Sequence, residues 1–285
     1  MIKRVAGIPL PGAVAALMLF PQSVPPAAIE ASKLKIRAVP PPVARRIELF
    51  MDAEDAYSGA VLSALPEFAR IGRWIFGDKL PSVRLFLMAN GEHYRAFTRA
   101  TFGQERVTGT GSVHIVTICL ACENRPQGET ETTAVVLHEF GHAWLNTYLK
   151  DGWGLNYLSG EIRRPYLDEG LADFIADQWD HEFLSRRARW TRDLKAARGV
   201  PPPKFDELKN YDSFYDHGDR ELHYWISALL IQRMIGTEAG AATKILRYLD
   251  LIGAGESPDR AWERATRKSL TVEYSALIQD LWKGQ

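Results

Sequence analysis

Cysteine and surplus charge are both scarce in this 285-residue sequence. The two cysteines, Cys119 and Cys122, are too few for a four-cysteine zinc site or a disulfide-rich scaffold. Lys and Arg together number 35, as do Asp and Glu, so the formal net charge is zero and no basic field attracts nucleic acid. We therefore predict no nucleic-acid partner. Because 46% of the residues are hydrophobic and 11% are aromatic, the chain can form a core without a metal, and any metal would serve a function.

The amino terminus has the layout of a secretion signal. Lys3 and Arg4 precede an apolar run, residues 13–20, that is too short to span a bilayer. We predict a signal peptide over residues 1–28 and export to a periplasmic or extracellular compartment, with no stable membrane span. A tail on a cytosolic protein is the alternative, because prolines interrupt the run and no clear cleavage site follows it. Residues 29–42 are rich in proline, which predicts an extended linker.

The sequence between residues 43 and 128 mixes helix and strand signals. Apolar residues recur at helical spacing from Val43 to Phe76, which predicts two helices with a break near Pro66. The segments that follow are predicted to be, in order, a strand, a short helix, a glycine-rich break and a second strand, at 82–88, 93–100, 109–112 and 113–120. The last of these is a β-branched run and the strongest strand signal in the chain.

Strand signals nearly vanish after Thr130, and the remaining apolar runs have helical spacing. These runs cover residues 134–149, 167–183, 222–235, 239–251, 261–266 and 272–281. The fold class is therefore predicted as α+β. An N-terminal α/β lobe with a small sheet is expected at 43–128 and a C-terminal helical lobe at 129–285, with a cleft between them.

One short motif, HEFGH, carries recognisable chemistry. Its residues His138 and His142 are four apart, so a helix places both imidazoles on one face, where they reach one metal ion. Glu139 lies about 100° further around the helix, where it meets a water molecule on the metal instead of the metal itself. The flanking residues are mostly apolar, and burying two histidines and a carboxylate without partners would be costly. The motif therefore predicts a metal site.

A third protein ligand is expected, because catalytic zinc binds three side chains and leaves one position to water. Leu145 and Tyr148 stand where the extended HExxHxxGxxH pattern needs a glycine and a third histidine, so that pattern is excluded. PYLDEGLAD at 165–173 instead opens a second helix, in which Glu169 and Asp173 share one face. We predict Glu169 as the third zinc ligand and Asp173 as the hydrogen-bond partner of a ligating imidazole.

HEFGH followed by LDEGLAD resembles the gluzincin zinc metallopeptidases of the thermolysin-like and aminopeptidase superfamily. The resemblance implies a zincin-like fold, zinc bound by His138, His142 and Glu169, and a peptide or protein substrate. It extends loosely over residues 80–285, although only the two motifs are highly specific. In the family an aromatic residue usually stands shortly before E-G, whereas here Tyr166 is the nearby aromatic and Leu167 and Asp168 follow it. This difference concerns the wall of the substrate site more than the binding of zinc.

The resemblance also implies a mechanism. Zinc lowers the pKa of its bound water, and Glu139 removes the proton and later passes it to the leaving amine. Tyr224 corresponds to the catalytic tyrosine of the family and is expected to stabilise the oxyanion; an aromatic packed in the core is the alternative for it. His223 and His217 are rivals for that role. The strand at 113–120 is expected to be the sheet edge that pairs with an extended peptide.

The predicted activity is zinc-dependent peptide-bond hydrolysis. Endopeptidase action is favoured, since no acidic motif for a free amine is evident. The alternatives are a zinc-binding pseudoenzyme or partner-binding scaffold, and a zinc hydrolase of a non-peptide amide. Glu139 argues against a scaffold, because a structural zinc does not require it. Cys119 and Cys122 favour a local disulfide or two packed thiols over a redox site, because no thioredoxin-like context surrounds them.

Overall fold

A computed structural model describes residues 34–38, 40, 46–106, 109–122, 128–155, 157, 163–216, 220–236 and 241–282. The predicted signal peptide at 1–28 lies outside the described residues, as does most of the predicted linker at 29–42. Within the described ranges the protein has an α+β fold in which helices predominate over one small sheet. None of the described helices is both long and apolar enough to span a membrane.

Five strands form one mixed sheet in the order β1-β2-β3-β5-β4. They are β1 (Lys35–Arg37), β2 (Ile47–Met51), β3 (Val83–Met88), β4 (Gly109–Ser112) and β5 (Ile115–Cys119). β2, β3 and β5 run parallel, whereas β1 and β4 pair antiparallel with β2 and β5. Almost every residue of β3 and β5 is buried, which explains their continuous apolar sequences and confirms the two predicted strands.

Three expectations for this region were wrong. Ile47–Met51 is strand β2 instead of a helix, because it pairs in register with β3 in the interior of the sheet. The rest of the expected helix pair is one helix, α1 (Ser58–Phe76), with Pro66 inside it. Pro66 has no N–H to donate to the carbonyl group one turn earlier in the helix. Because Pro66 is exposed, that carbonyl group lies on the side of the helix that water can reach. Residues 109–112, expected as a break, form β4 through antiparallel pairing with β5.

Helices make up most of the chain outside the sheet. α2 (Gly91–Phe102) joins β3 to β4 and confirms the short helix predicted there. The helices after β5 are α3 (Glu129–Trp153), α4 (Pro165–Trp179), α5 (Phe183–Arg198), α6 (Phe205–Lys209), α7 (Tyr211–Asp216), α8 (Arg220–Ile235), α9 (Ala241–Gly253), α10 (Pro258–Thr266) and α11 (Leu270–Trp282). The six predicted helical runs correspond to α3, α4 and α8 to α11, whereas α5, α6 and α7 were not predicted.

One hydrophobic core joins the sheet to the helices. Leu85 of β3 and Val116 of β5 belong to the same buried cluster as Phe140 and Trp144 of α3 and Ile226 of α8. α3 contacts the sheet and α1, and it also packs along α4. This core crosses the predicted lobe boundary at residues 128 and 129, and the division into two lobes stays a prediction.

The opposite face of the sheet has a smaller core of its own. Phe50 of β2 and Phe86 of β3 pack there against Phe97 of α2. Cys119 and Cys122 form a disulfide within this cluster, so the structure decides for a local disulfide over two packed thiols.

Candidate metal centre

A close crossing of α3 and α4 brings the predicted ligands together. At the crossing, Gly141 lies against Ala172, and a side-chain carbon added at position 141 would come within 2.8 Å of the Ala172 Cα. The absence of a side chain at Gly141 therefore allows the two helices to approach. The contact places His138 and His142 of α3 opposite Glu169 of α4.

Three metal-ligand atoms converge at this crossing. The Nε2 atoms of His138 and His142 are 3.0 Å apart. Glu169 Oε2 lies 3.5 Å from His138 Nε2 and 3.3 Å from His142 Nε2. Zinc bonds of about 2.0–2.1 Å in tetrahedral geometry separate two ligand atoms by about 3.3–3.4 Å. The triangle of ligand atoms therefore has the size that one zinc ion requires.

Hydrogen bonds on the outer side of each ring fix which nitrogen faces the centre. His138 Nδ1 lies 2.8 Å from Asp173 Oδ1, and His142 Nδ1 lies 2.7 Å from Asp168 Oδ1. An ionised carboxylate only accepts, so each Nδ1 carries a proton that it donates. In the neutral tautomer each Nε2 then presents a lone pair to the centre, which is the arrangement of a metal-ligating histidine.

Glu169 completes the test of whether a metal fits. Its Oε1 accepts a hydrogen bond from the Tyr215 hydroxyl, whereas its Oε2 is buried and has no hydrogen-bond partner among the described residues. A buried carboxylate oxygen without a donor is costly, particularly beside two nitrogen lone pairs. A divalent cation at the centre of the triangle satisfies all three atoms, so the residues present fit zinc.

The electrostatics of the cluster also favour a cation. Burial opposes the charged form of His138, but the carboxylates of Asp173 and Glu169 outweigh burial and raise the pKa of His138 to about 9. Burial likewise opposes protonation of His142, yet Asp168 and Glu169 raise the pKa of His142 well above its usual value. The cluster therefore attracts positive charge strongly enough to overcome desolvation.

Asp168, a residue that the sequence argument did not single out, anchors His142. Its side chain is 1% exposed, and its Oδ2 accepts from Arg163 Nη2 at 3.1 Å as well as from the Tyr211 hydroxyl. The Arg163 guanidinium in turn lies 3.7 Å from the centre of the Tyr211 ring. The sequence did contain one indication of this role: Asp168 lies beside Glu169 in the first turn of α4, from which its side chain can reach α3.

Glu139 lies beneath the strand β4. A side-chain carbon at Gly109 would be 3.2 Å from Glu139 Oε1, and one at Gly111 would be 2.1 Å from the Glu139 carbonyl oxygen. Only glycine at position 111 therefore allows β4 to lie on α3. Burial raises the pKa of Glu139, although His142, His138 and the Gly111 backbone N–H oppose that rise.

β4, and not β5, is the edge of the sheet beside this site, so the expectation for 113–120 was wrong. β5 is paired on one side with β3 and on the other with β4, which leaves it no free edge. A two-residue turn follows Ser112, so Ser112 and Ile115 are expected to be the hydrogen-bonded pair that closes the hairpin. By alternation, Gly111 and Gly109 direct their main-chain groups to the edge of β4 with which no described strand pairs.

The remaining predicted residues lie at different distances from the cluster. The ring of Tyr224 is half-buried, with its centroid 6.3 Å from that of His138. The ring of Tyr215, which the sequence argument missed, is 6.4 Å from that of Tyr224. His223 is 2% exposed, and its Nδ1 lies 2.9 Å from the carbonyl oxygen of Phe214. His217 lies outside the described residues.

Neither a protein-family model nor a curated protein sequence matches this chain. The fold is nevertheless similar to that of a solved zinc metallopeptidase. A solved structure described as a two-domain M1 zinc metallopeptidase, a mutant bound to L-arginine, matches with a TM-score of 0.51 at 13% identity. The match covers 87% of this chain and 51% of that chain, so this chain spans about half the length of that protein. At this identity the likeness shows the fold alone.

Proposed function

We propose that this protein is a zinc-dependent peptidase. The observation that carries the proposal is the triangle of His138 Nε2, His142 Nε2 and Glu169 Oε2, with Glu139 lying between it and a sheet edge. The likeness of the fold to an M1 zinc metallopeptidase supports the proposal independently of the motif. The proposal also includes export from the cytoplasm, which rests on the layout of the amino terminus.

In this proposal His138, His142 and Glu169 hold the metal. Zinc bound there supplies a Lewis acid and lowers the pKa of a coordinated water. The Glu139 carboxylate takes the proton of the attacking water and delivers it to the nitrogen of the leaving amine. Asp173 and Asp168 hold the two imidazoles in the tautomer and orientation that leave both Nε2 atoms free.

The open edge of β4 favours a peptide over a non-peptide amide as the substrate. Main-chain groups of Gly109 and Gly111 face that edge, next to the Glu139 carboxylate. An extended peptide can add to the edge as a further strand, which places successive amide groups along the cleft at the strand repeat. A small non-peptide amide would leave unused those main-chain groups of this edge that do not already bind Glu139.

Tyr224 is the proposed donor to the oxyanion. Its ring stands beside His138, whereas the hydroxyl of neighbouring Tyr215 already donates to Glu169 Oε1. The two tyrosines therefore have different proposed roles: Tyr215 positions the ligand Glu169, and Tyr224 stabilises negative charge that develops on the substrate.

The deciding experiment compares Glu139→Gln with the parent protein on a diverse peptide library, with cleavage sites read by mass spectrometry. We expect about one zinc per chain in both proteins and a loss of activity by several orders of magnitude in the variant, because only proton transfer is removed. Glu129→Gln is the matched control, since Glu129 is exposed at the start of the same helix. Cleavage by Glu139→Gln at the parent rate contradicts the mechanism.

The same experiment, extended to small non-peptide amides, separates the alternatives. A parent protein that binds zinc and cleaves no peptide is a scaffold or pseudoenzyme. A parent protein that hydrolyses small amides and leaves the library intact is an amide hydrolase of another class.

A further inference from the structure

His114 has a backbone conformation that glycine usually occupies. Its φ is 61°, and among the residues that the structure describes only Arg267 is a second non-glycine residue with positive φ. Arg267 follows the last turn of α10, where a left-handed residue is common. His114 instead lies in the turn between β4 and β5, where glycine would be less strained. A histidine kept at such a position indicates that the imidazole is needed for the contacts it makes.

Three contacts attach His114 to helix α3 and to the start of β3. Its backbone N–H donates to Thr147 Oγ1 at 2.7 Å, and its Nε2 lies 3.1 Å from Asp151 Oδ1. Its Nδ1 lies 3.2 Å from the carbonyl oxygen of Ser82, which precedes β3. Thr147 is fully buried, whereas Asp151 is exposed. Glycine in place of His114 would retain only the first contact, so the imidazole supplies the attachment to Asp151 and Ser82.

The hairpin of β4 and β5 follows the face of α3 that carries the proposed catalytic base. One row on this face consists of residues spaced four apart: Glu139, Ala143, Thr147 and Asp151. Gly111 lies against the first half of the row, since a side-chain carbon added there would be 2.1 Å from the Glu139 carbonyl oxygen and 3.0 Å from the Ala143 nitrogen. His114 contacts the second half of the row. The hairpin therefore meets this face of α3 at two places.

The two contacts restrain β4 in different ways. The close approach at Gly111 prevents β4 from moving nearer to α3, but it does not prevent the strand from lifting away. Pairing with β5 holds β4 in the sheet, yet a glycine-rich strand specifies its register weakly. His114 opposes movement away from α3 and along it. Its contact with Thr147 lies eight residues from Glu139, which is about 12 Å along the helix axis.

We propose that His114 is a positioning residue for peptide hydrolysis. It holds the edge of β4 at the place along α3 where a peptide paired with that edge presents its scissile bond to Glu139. This inference rests on the proposed peptidase function and adds a residue that acts through β4 instead of on the substrate. A displacement of about 1 Å between substrate and catalytic groups can lower turnover about a hundredfold, so a remote attachment of this kind affects the rate.

Two substitutions by glycine, each at a residue with positive φ, test the inference. His114→Gly removes the imidazole, and Arg267→Gly is the matched control because Arg267 is exposed at the end of α10. Zinc affinity should be unchanged in both variants. In His114→Gly the relief of backbone strain offsets the lost contacts, so Tm should stay within about 3 °C of the parent value. Only His114→Gly should lower kcat, by about tenfold to hundredfold, with KM changed less than about threefold.

The partner of the imidazole on α3 provides a second variant that leaves the turn unaltered. Asp151→Ala should also lower kcat, and the double variant with His114→Gly should be no slower than the more impaired single variant, because both remove one attachment. Asp206→Ala is the control, since the Asp206 side chain is 94% exposed. Hydrogen exchange at the Gly111 N–H, which binds Glu139, reports the position of β4 without substrate. It should accelerate in His114→Gly and Asp151→Ala and in neither control.

Three results overturn the inference: parent kcat in His114→Gly, an equal loss of kcat in Arg267→Gly, or unchanged exchange at Gly111 in both hairpin variants. If His114→Gly fails to fold, Asp151→Ala decides alone, and parent kcat in that variant overturns the inference. A parent protein that cleaves no peptide contradicts the proposed function and this inference together. A parent protein that cleaves peptides no faster than His114→Gly contradicts this inference alone.

Discussion

At the scale of single residues, the centre depends on the groups that orient the ligands. Asp168→Asn should weaken zinc binding about tenfold to hundredfold, the usual effect of losing an outer partner of a ligating histidine. The amide loses the charge that holds His142 Nδ1–H and turns a donor group towards either that N–H or Arg163. The measurement is competition with a zinc chelator.

Asp206→Asn is the matched control for that experiment, since the Asp206 side chain is 94% exposed. Zinc affinity that is equal in the two variants would show that Asp168 does not position His142.

Replacing each of the two tyrosines at the site by phenylalanine should have different effects on turnover and on zinc binding. Tyr224→Phe should lower kcat roughly 10²-fold to 10³-fold with zinc affinity unchanged, because it removes a donor that acts only in the transition state. Tyr215→Phe should weaken zinc binding first, because its hydroxyl holds Glu169 Oε1. Zinc titration and steady-state kinetics on both variants provide the comparison. Full kcat in Tyr224→Phe would make that hydroxyl a bystander.

Local spacing explains which site residues could be predicted from the sequence. His138, Glu139 and His142 lie within one turn and a half of helix, and Glu169 shares a short motif with Asp173, so their geometry follows from helix periodicity. Tyr215 is 46 residues from Glu169 in sequence, and only the packing of α7 brings its hydroxyl to that carboxylate. No local pattern contains that contact.

At the scale of secondary-structure elements, the contact of β4 with α3 is the most restrictive feature. Gly111→Ala should place a methyl group against the Glu139 carbonyl oxygen and force the strand away from the helix. We expect a loss of about 1–3 kcal/mol in the free energy of unfolding and a fall in peptide cleavage, with zinc retained on α3 and α4. Chemical denaturation and zinc analysis measure these effects.

Gly59→Ala is the control, because Gly59 lies on α1 with no atom near the position of an added carbon. A Gly111→Ala protein as stable and as active as this control would contradict the close contact.

The sheet edge shows where sequence patterns stop being informative. β5 was predictable because its β-branched run is buried on both faces. β4 has the sequence GTGS, in which two glycines weaken the strand signal, and it is a strand because β5 pairs with it. Ile47–Met51 was predicted as a helix because its conformation, like that of β4, is set by pairing with a neighbouring strand, here β3, and not by its local sequence.

At the scale of the whole molecule, zinc should stabilise the fold without being required for it. The large apolar core that joins sheet and helices is independent of the centre. Zinc at about a thousand times its dissociation constant should add about 4 kcal/mol, which raises Tm by roughly 10 °C for a chain of this size. Calorimetry with and without a chelator measures the shift.

His142→Ala is expected to abolish most of that shift, whereas Glu139→Gln should preserve it. Cooperative unfolding that disappears entirely when zinc is removed would show that the centre is structural.

The proposed export concerns the whole chain as well. The amino terminus of protein isolated from its native compartment should begin after about residue 20, because a signal peptide is removed on translocation. Amino-terminal sequencing tests this, and an intact Met1 in a soluble cytosolic fraction would refute it.

The glycines of β4 have a consequence for attempts to redesign selectivity. A side chain at either position would point at α3 and away from a substrate. A peptide paired with this strand would therefore be bound through hydrogen bonds between the two main chains, which any peptide can form. Binding at this strand would depend on the extended backbone of a peptide more than on side chains of the strand, which Gly109 and Gly111 lack. Mutagenesis aimed at new substrates should therefore leave residues 109–112 intact and vary residues elsewhere around the site.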